Sequence, residues 1–467
     1  MSNLTFSSTF PVSQQQLYNY HATPGAFQRL SPPWEKMRLV NWKGGIATQH
    51  RSKELQMGDI STGTEVQIEM TVGPLKVPLV AKHIEHQEPG GFTDVQLRGP
   101  FKKWRHVHQF QSSVDSASSI LTDDITYEAP FGFLTNGIVK NKINALFAFR
   151  HRRTAMDLQL LEEMKDCPKL KVAISGASGL IGQELSALLK FLGHEVFYLV
   201  RHKKSSKNNI FWSPSQDEID QEKMEGLDVV IHLAGHPIAN YWTKSQKEAI
   251  AQSRIQGTSL LARTLKKLKT PPKVFISTSA IGIYGNHPSE IASEDSTLAS
   301  DFLGMVCQQW EQSSKSVTDV GVRLVNPRIG VVLSAKGGAL VKSVPPILAG
   351  IGGKWGDGMQ WMSWIAIEDV LRILLLMMVD DRYEGAVNLV APNPVQNNDF
   401  IKTLGKVLRR PTFLPLPALV LKTIMGEMGK TLLLEGRQVR PDVLLERGYS
   451  FQFPNIEDAL RFELGRF

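Results

Sequence analysis

The stretch KVAISGASGLIGQELSALLKFLGHEVFYLVR, residues 171–201, reads as an apolar strand, a glycine-rich turn, an amphipathic helix and a second apolar strand. Such a unit is built to set a helix N-terminus against a pyrophosphate. Gly176, Gly179 and Gly182 divide the work between a tight turn, close backbone approach to phosphate, and close packing of helix on strand. Ser178, Leu180 and Ile181 complete the turn and the first helical residues. The end of the second strand selects the dinucleotide. An acidic residue there would hold a ribose 2′-hydroxyl, whereas this chain has Arg201, followed by His202, Lys203 and Lys204. A guanidinium on a 2′-phosphate is a charge-assisted contact of about 1.5 to 3 kcal/mol, so NADP(H) is expected over NAD(H).

The 467 residues exceed what one hydrophobic core usually serves, and two or three domains are expected. Beyond Lys171, DVVIHLAG (228–235), VFISTS (274–279) and VRLVNPRIG (322–330) are short apolar strands separated by helical stretches. That alternation predicts a doubly wound parallel sheet of the Rossmann-like α/β class over 169–410, with a small C-terminal domain at 411–467. Residues 1–165 differ. Val66, Ile68, Met70 and Val72 share one face of a strand over Glu65–Val72, and Trp104, His106, His108 and Phe110 share a face of another. Ser13 and Gln16 form a capping-box pattern for a short helix at 13–21, and apolar residues from Ile138 to Leu161 recur at helical spacing.

The net charge of +8 comes from scattered basic residues, the densest run being 140–153. On a helix that run is a solvated face, so no nucleic-acid partner is expected. Two cysteines, no cleavable apolar stretch after Met1 and no run of about 18 apolar residues predict a cytoplasmic chain without a membrane span. ILLLMMV (373–379) follows Glu368, Asp369 and Arg372 and is expected to be a buried helix. His106 and His108, with His83 or His86, have no carboxylate or thiol at a persuasive spacing in the sequence, so no metal is assigned.

Two resemblances follow from these motifs. HATPGAFQRLSPPW (21–34), GPFKKWRHVHQF (99–110) and YEAPFG (127–132), in the order strand, helices, antiparallel strands, long helix, resemble the START-like (SRPBCC) helix-grip superfamily. That resemblance implies a compartment for an apolar or aromatic ligand in the N-terminal domain. The Gly-x-x-Gly-x-x-Gly turn, HLAG (232–235), STSAIGIYG (277–285), SRIQGT (253–258), CQQWE (307–311), NPRIGVVL (326–333) and WGDGMQWMSWIAIEDV (355–370) resemble the atypical, epimerase-like short-chain dehydrogenase/reductases of the SDR39U type. The GEM, RQVRP and GYSFQFP pieces resemble the DUF1731-like C-terminal domain of that group.

By this second resemblance Leu233, Ala234 and Gly235 line the adenosine and ribose side, and Ser277 and Thr278 end a strand beside the nicotinamide. Pro327 and Arg328 end the next strand, close to the nicotinamide end and counted among the cofactor-binding residues, and Arg254 sits on the helix behind. Ser279 is the residue expected to orient a substrate. The proton-transferring pair of this superfamily, Tyr-x-x-x-Lys, is missing from the entire chain. Anchored on Glu311, its positions are Leu303 and Cys307. Tyr284 is then the leading candidate acid, with Cys307, Glu294 and Asp301 behind it. Trp355, Gln360 and Trp364, in a glycine-rich loop beyond the cofactor strands, are expected to contact a small-molecule substrate. The leading expectation is an NADP(H)-dependent oxidoreductase on a small organic substrate. A catalytically silent NADP(H) sensor or ligand carrier and a nucleotide-sugar epimerase stand as alternatives.

Overall fold

The structure, a computed structural model, describes residues 1–44, 60–72, 75–114, 117–202 and 206–467. Its backbone divides into two compact units, Met1–Cys167 with Lys190–Leu192 and Phe467, and Pro168–Leu189 with Gly193–Arg466.

In the N-terminal unit the described strands are β1 (Ser2–Phe10), β2 (Met37–Lys43), β3 (Glu65–Val72), β4 (Leu75–Gln87), β5 (Gly91–Arg98), β6 (Lys103–Ser112) and β7 (Ser119–Glu128). They form one antiparallel sheet in the order β1-β7-β6-β5-β4-β3-β2. The helices α1 (Gln14–Ala22) and α2 (Ala26–Arg29) interrupt the run after β1, and α3 (Phe133–Glu163) follows β7. The expected capping box opens α1. The Ser13 side chain accepts from the Gln16 backbone N–H, and the Ser13 backbone N–H donates to Gln16 Oε1 at 2.9 Å. Alternate residues of β7 are buried, which aims one face of the sheet at α3. There Ile125, Tyr127, Ile143 and Phe147 pack together, with Phe6 stacked on Phe147 at 4.8 Å between ring centroids. A buried ion pair, Arg29 Nη2 to Asp157 Oδ1 at 2.5 Å, fastens α2 to α3.

In the second unit the strands are β8 (Lys171–Ser175), β9 (Glu195–Val200), β10 (Asn209–Ser213), β11 (Glu218–Ile219), β12 (Val229–His232), β13 (Val274–Ser277), β14 (Ser279–Ala280), β15 (Ile291–Ala292), β16 (Arg323–Ile329), β17 (Val331–Ser334), β18 (Trp361–Met362), β19 (Trp364–Ala366), β20 (Gly385–Leu389), β21 (Val395–Gln396) and β22 (Gln438–Val439). The main sheet runs β10-β9-β8-β12-β13-β16-β20, all parallel, with β11 antiparallel at one edge. Chain order reverses between β8 and β12, and in such sheets ligands bind beyond the strand ends at that reversal. The strands read as unbroken apolar runs because both faces are covered: Val172, Ala173, Ile174, Val230, Ile231, Phe275 and Ile276 have no exposed surface. The principal helices are α4 (Leu180–Phe191), α5 (Lys244–Lys267), α6 (Phe302–Ser314), α7 (Gly338–Leu348), α8 (Ile367–Val379) and α9 (Asn397–Leu408). The run at 373–379 lies in α8, whose residues are almost all buried, the Glu368, Asp369 and Arg372 side chains included. No helix among the described residues is long and apolar enough to cross a membrane.

Residues beyond 411 add α10 (Ala418–Gly429), α11 (Asp442–Glu446) and α12 (Ile456–Glu463), and they belong to the second unit. Pairing of β22 with β15 ties them to the core. A second tie is the buried Asp369 carboxylate, which accepts from Tyr449 Oη (2.8 Å), Gln452 N (2.8 Å) and Phe453 N (3.1 Å). Asp369→Ala would strand two buried N–H groups, at about 1 to 3 kcal/mol each. The expected outcome is a lower denaturant midpoint and faster proteolysis near 449–453. Burial raises the Asp369 pKa to about 6, above its unfolded value. Its contribution to stability is therefore fully present below about pH 4 and is lost as pH rises through about 6. Wild type should lose stability relative to Asp369→Asn over that window, as read from denaturant midpoints at successive pH values.

Candidate nucleotide and substrate site

The glycine turn sits at the carboxyl end of β8. Gly176 has φ +71°, and a Cβ there would stand 2.8 Å from Ala234 N and 2.9 Å from the Leu233 carbonyl carbon. The turn and the loop after β12 thus touch backbone to backbone. A Cβ on Gly182 would stand 2.4 Å from Gly176 O, so the helix start also lies against the turn. Ser178 and Gly179 are exposed, as is Gly235, while Leu180, Ile181, Leu233 and Ala234 are half-buried. The result is a solvent-facing cradle with the N-terminus of α4 at its base, where the orphan N–H groups and the helix dipole favour a phosphate.

Two residues that motif reading passed over hold this cradle. Ser175 Oγ accepts from Leu233 N (3.2 Å) and Ala234 N (3.3 Å), and it lies 2.6 Å from His232 Nδ1. With both acceptor positions taken, the hydroxyl donates to the imidazole. Burial pushes the His232 pKa down to about 3, which leaves the ring neutral and able to accept. The serine closing β8 was the available signal, because a hydroxyl at a strand end usually serves loop N–H groups.

Arg201 is exposed at the end of β9, and Lys203 and Lys204 lie outside the described residues. Arg254, on α5, donates to His236 O (3.1 Å) and Ile250 O (3.0 Å), and its guanidinium stands 3.2 Å from where a Gly235 Cβ would be. Thr278 Oγ1 donates to His232 O at 2.8 Å, which makes it a brace between strand ends. Ser277 and Ser279 are buried; among the described residues the Ser277 hydroxyl has no hydrogen-bond partner, and the Ser279 hydroxyl meets the Cys307 thiol.

Five expectations need correction. Arg328 was placed against the cofactor, but its guanidinium is spent internally. It grips Glu311 through Nε (2.9 Å) and Nη2 (3.0 Å) and donates from Nη1 to Tyr284 Oη (2.8 Å) and Glu294 O (3.0 Å). Pro327 is buried beside it within β16. Tyr284, the candidate acid, has no exposed surface and donates to Asn388 Oδ1 at 2.7 Å, and its burial pushes the phenol up to about 12. It knits the core and presents no proton outward. Trp364 is likewise fully buried, its indole N–H donating to Asn393 O at 3.0 Å. Gln360 spends its amide on Leu433 O (2.6 Å) and Trp355 O (3.2 Å), so it fastens residues 355–360 to the C-terminal segment. Trp355 is half-buried, its backbone N–H donating to Asn397 Oδ1 at 2.8 Å.

Asp301 N-caps α6 by accepting from Gly304 N at 2.8 Å, and Glu294 Oε1 accepts from Asn388 N at 2.9 Å. Cys307 is buried, and burial pushes its thiol up to about 12, far from a thiolate at neutral pH.

The structure instead opens a cleft of about 640 Å³ beside the position where a catalytic tyrosine would stand. Leu303 lines it together with Trp242, His287, Asp301, Glu427 and Lys430. Its walls come from α6, the loop after Tyr284 and the C-terminal segment, and Trp355, Gln360 and Trp364 are not among its lining residues. A second cleft, of about 720 Å³, runs along Phe211, Asp217 and Arg263 and holds none of the site residues chosen from sequence.

Comparison with known proteins matches residues 172–389 to the NAD dependent epimerase/dehydratase family and 416–463 to a domain of unknown function, DUF1731. The chain is 36% identical over 305 residues to the chloroplastic SDR39U1 homolog, an epimerase family protein of Arabidopsis thaliana, covering 63% of this chain and 86% of that one. A crystal structure of the nucleoside-diphosphate sugar epimerase from Corynebacterium glutamicum is 31% identical, with TM-score 0.80, and covers 99% of this chain and 90% of its own. Human SDR39U1 (isoform 2), crystallised with NADPH, is 30% identical, with TM-score 0.59, over 64% of this chain and 100% of its own. The chain belongs to the NAD dependent epimerase/dehydratase family, in company with the SDR39U1-type epimerase family proteins.

Two outcomes follow from the geometry. Gly182→Ala drives a methyl into the Gly176 carbonyl and should cost about 1 to 3 kcal/mol, read from the urea midpoint. Iodoacetamide at pH 8 should label half-buried Cys167 and leave Cys307 unmodified in the folded protein, as peptide mass mapping would show.

Proposed function

We propose that the second unit binds NADP(H) and acts as an oxidoreductase of the atypical short-chain dehydrogenase/reductase type on a small organic substrate held in the 640 Å³ cleft. The observation that carries the reading is the backbone cradle at the β8–β12 reversal, where Gly176 leaves no room for a side chain and the N-terminus of α4 opens to solvent. These residues fit a dinucleotide. Gly176, Ser178, Gly179 and the first residues of α4 would hold the pyrophosphate, Leu233 to Gly235 the adenosine side, and Arg201 the 2′-phosphate. The solved human relative with NADPH supports the choice of dinucleotide.

The dinucleotide, when bound, supplies or accepts the hydride. The chain's own part is to orient the substrate and handle the proton. Polar groups lining the cleft orient the substrate, since Ser279 is buried against Cys307 and is not among the lining residues. Proton transfer falls to the cleft-lining groups because Tyr284 and Cys307 are locked in the core. His287 is the imidazole among them, and imidazole is the usual proton carrier near neutral pH. Without a paired tyrosine and lysine, turnover should fall about 10² to 10⁴ below that of a complete site. A nucleotide-sugar epimerase is the second reading, supported by the name of the Corynebacterium glutamicum relative.

For the N-terminal unit we propose a START-like helix-grip domain that holds an apolar or aromatic ligand. Its support is the antiparallel sheet packed on the 31-residue helix α3.

Calorimetric titration with NADPH and NADH tests the cofactor reading. NADPH should bind tightly and in preference, and Arg201→Ala should lower that preference roughly ten- to a hundredfold. An unchanged ratio defeats the role of Arg201, and failure to bind either dinucleotide defeats the reading as a whole. Oxidation of bound NADPH by a member of a carbonyl panel, slowed by His287→Ala, would place the chemistry in the cleft.

A further inference from the structure

The interior of the N-terminal unit holds a group of histidines and carboxylates that sequence spacing conceals. His106 and His108 lie two apart on β6 and point to the same face. The sheet register sets Asp94 of β5 directly opposite His106, and Asp123 of β7 directly opposite His108. One carboxylate therefore arrives from each neighbouring strand. His106 Nδ1 lies 3.3 Å from Asp94 Oδ2, and His108 Nε2 lies 3.9 Å from the same oxygen. One ligand atom from each of Asp94, His106 and His108 lies within 4.8 Å of the others. Ligand bonds of about 2.1 Å at the tetrahedral angle place neighbouring ligand atoms about 3.4 Å apart, close to the 3.3 and 3.9 Å that separate Asp94 Oδ2 from the two ring nitrogens.

The opposite side of the two rings is occupied as a metal site requires. His106 Nε2 is 2.9 Å from Asp123 Oδ1, and His108 Nδ1 is 2.7 Å from the same oxygen. Both carboxylates only accept, so His106 donates from Nε2 to Asp123 and from Nδ1 toward Asp94, and an ion would take the place of the Nδ1 proton, while His108 Nδ1 stands near Asp123 Oδ1 without hydrogen-bond geometry. Asp123 is fixed in turn, since its Oδ2 is 2.8 Å from His151 Nε2, and His151 Nδ1 is 2.7 Å from Ser8 Oγ. A carboxylate behind a ligating imidazole is the usual device for setting its tautomer and raising its basicity.

We propose that Asp94, His106 and His108 bind one divalent transition-metal ion, with Asp123 holding both imidazoles from behind. Two nitrogens and one oxygen suit Zn(II), Co(II) or Fe(II), and three protein ligands leave a position open for water or for a donor atom of a cavity ligand.

The test uses the full-length chain, stripped with chelator and titrated with Co(II) and with Zn(II). One equivalent per chain should bind, Co(II) should show ligand-field absorption in the visible, and Zn(II) should raise the melting temperature. His108→Ala and Asp94→Ala should each weaken binding at least tenfold, and Asp123→Asn about ten- to a hundredfold. Circular dichroism confirms that each variant is folded, and the wild-type melting shift decides the matter if one is not. Wild type that takes up no metal overturns the site. Binding that all three variants retain overturns the ligand assignment.

Discussion

The backbone contact between Gly176 and the Leu233–Ala234 turn is the constraint on which the second unit rests. Bringing two strand-end loops to within van der Waals distance at the point where sheet order reverses leaves no room for a side chain at Gly176. It also leaves loop N–H groups that water alone would otherwise serve. The Ser175 hydroxyl resolves that difficulty by accepting from two of them while passing its own proton to His232. Everything presented to solvent at this edge, from Ser178 to Gly235, takes its place from that arrangement. The apolar strands beneath supply the rigidity, and a single hydroxyl supplies the register between the loops.

A few side chains away, the same sheet is committed to stability where its fold relatives are committed to chemistry. Arg328, Glu311, Tyr284, Asn388 and Glu294 form a connected set that joins β16, α6, the turn after β14 and β20. Bidentate contact with a carboxylate, a phenol in place of water and a backbone carbonyl satisfy a buried guanidinium well, and breaking such a set costs more than any one of its bonds. Leu303 and Cys307, on the neighbouring helix, bring no proton and no charge. Where the cleft meets α6 at Leu303 its wall is therefore inert, and its polar groups come from the loop after Tyr284, the N-cap of α6 and the C-terminal segment.

Much of the fold was legible because the signals were periodic. The alternation Val66, Ile68, Met70 marked β3, the Ser13–Gln16 pair marked α1, and the apolar run at 373–379 marked a buried helix. The glycine turn was legible because steric exclusion leaves a trace in composition. Side-chain partners left none. Nothing in NPRIG says whether the arginine faces a ligand or a glutamate on a helix 17 residues upstream. The tryptophans of WGDGMQWMSW looked alike in sequence, yet Trp364 is sealed in the core while Trp355 is half-buried. The Asp94 and Asp123 pairing with His106 and His108 is a matter of strand register, which local spacing does not encode.

The cleft draws its outer wall from Glu427 and Lys430, and that wall is fastened by the pairing of β22 with β15 and by the Asp369 carboxylate on α8. One wall of the cleft therefore comes from the C-terminal segment and the rest from the part of the chain that also builds the glycine turn, joined by a few identifiable fastenings. Change in the tail can reshape the cleft without disturbing the turn.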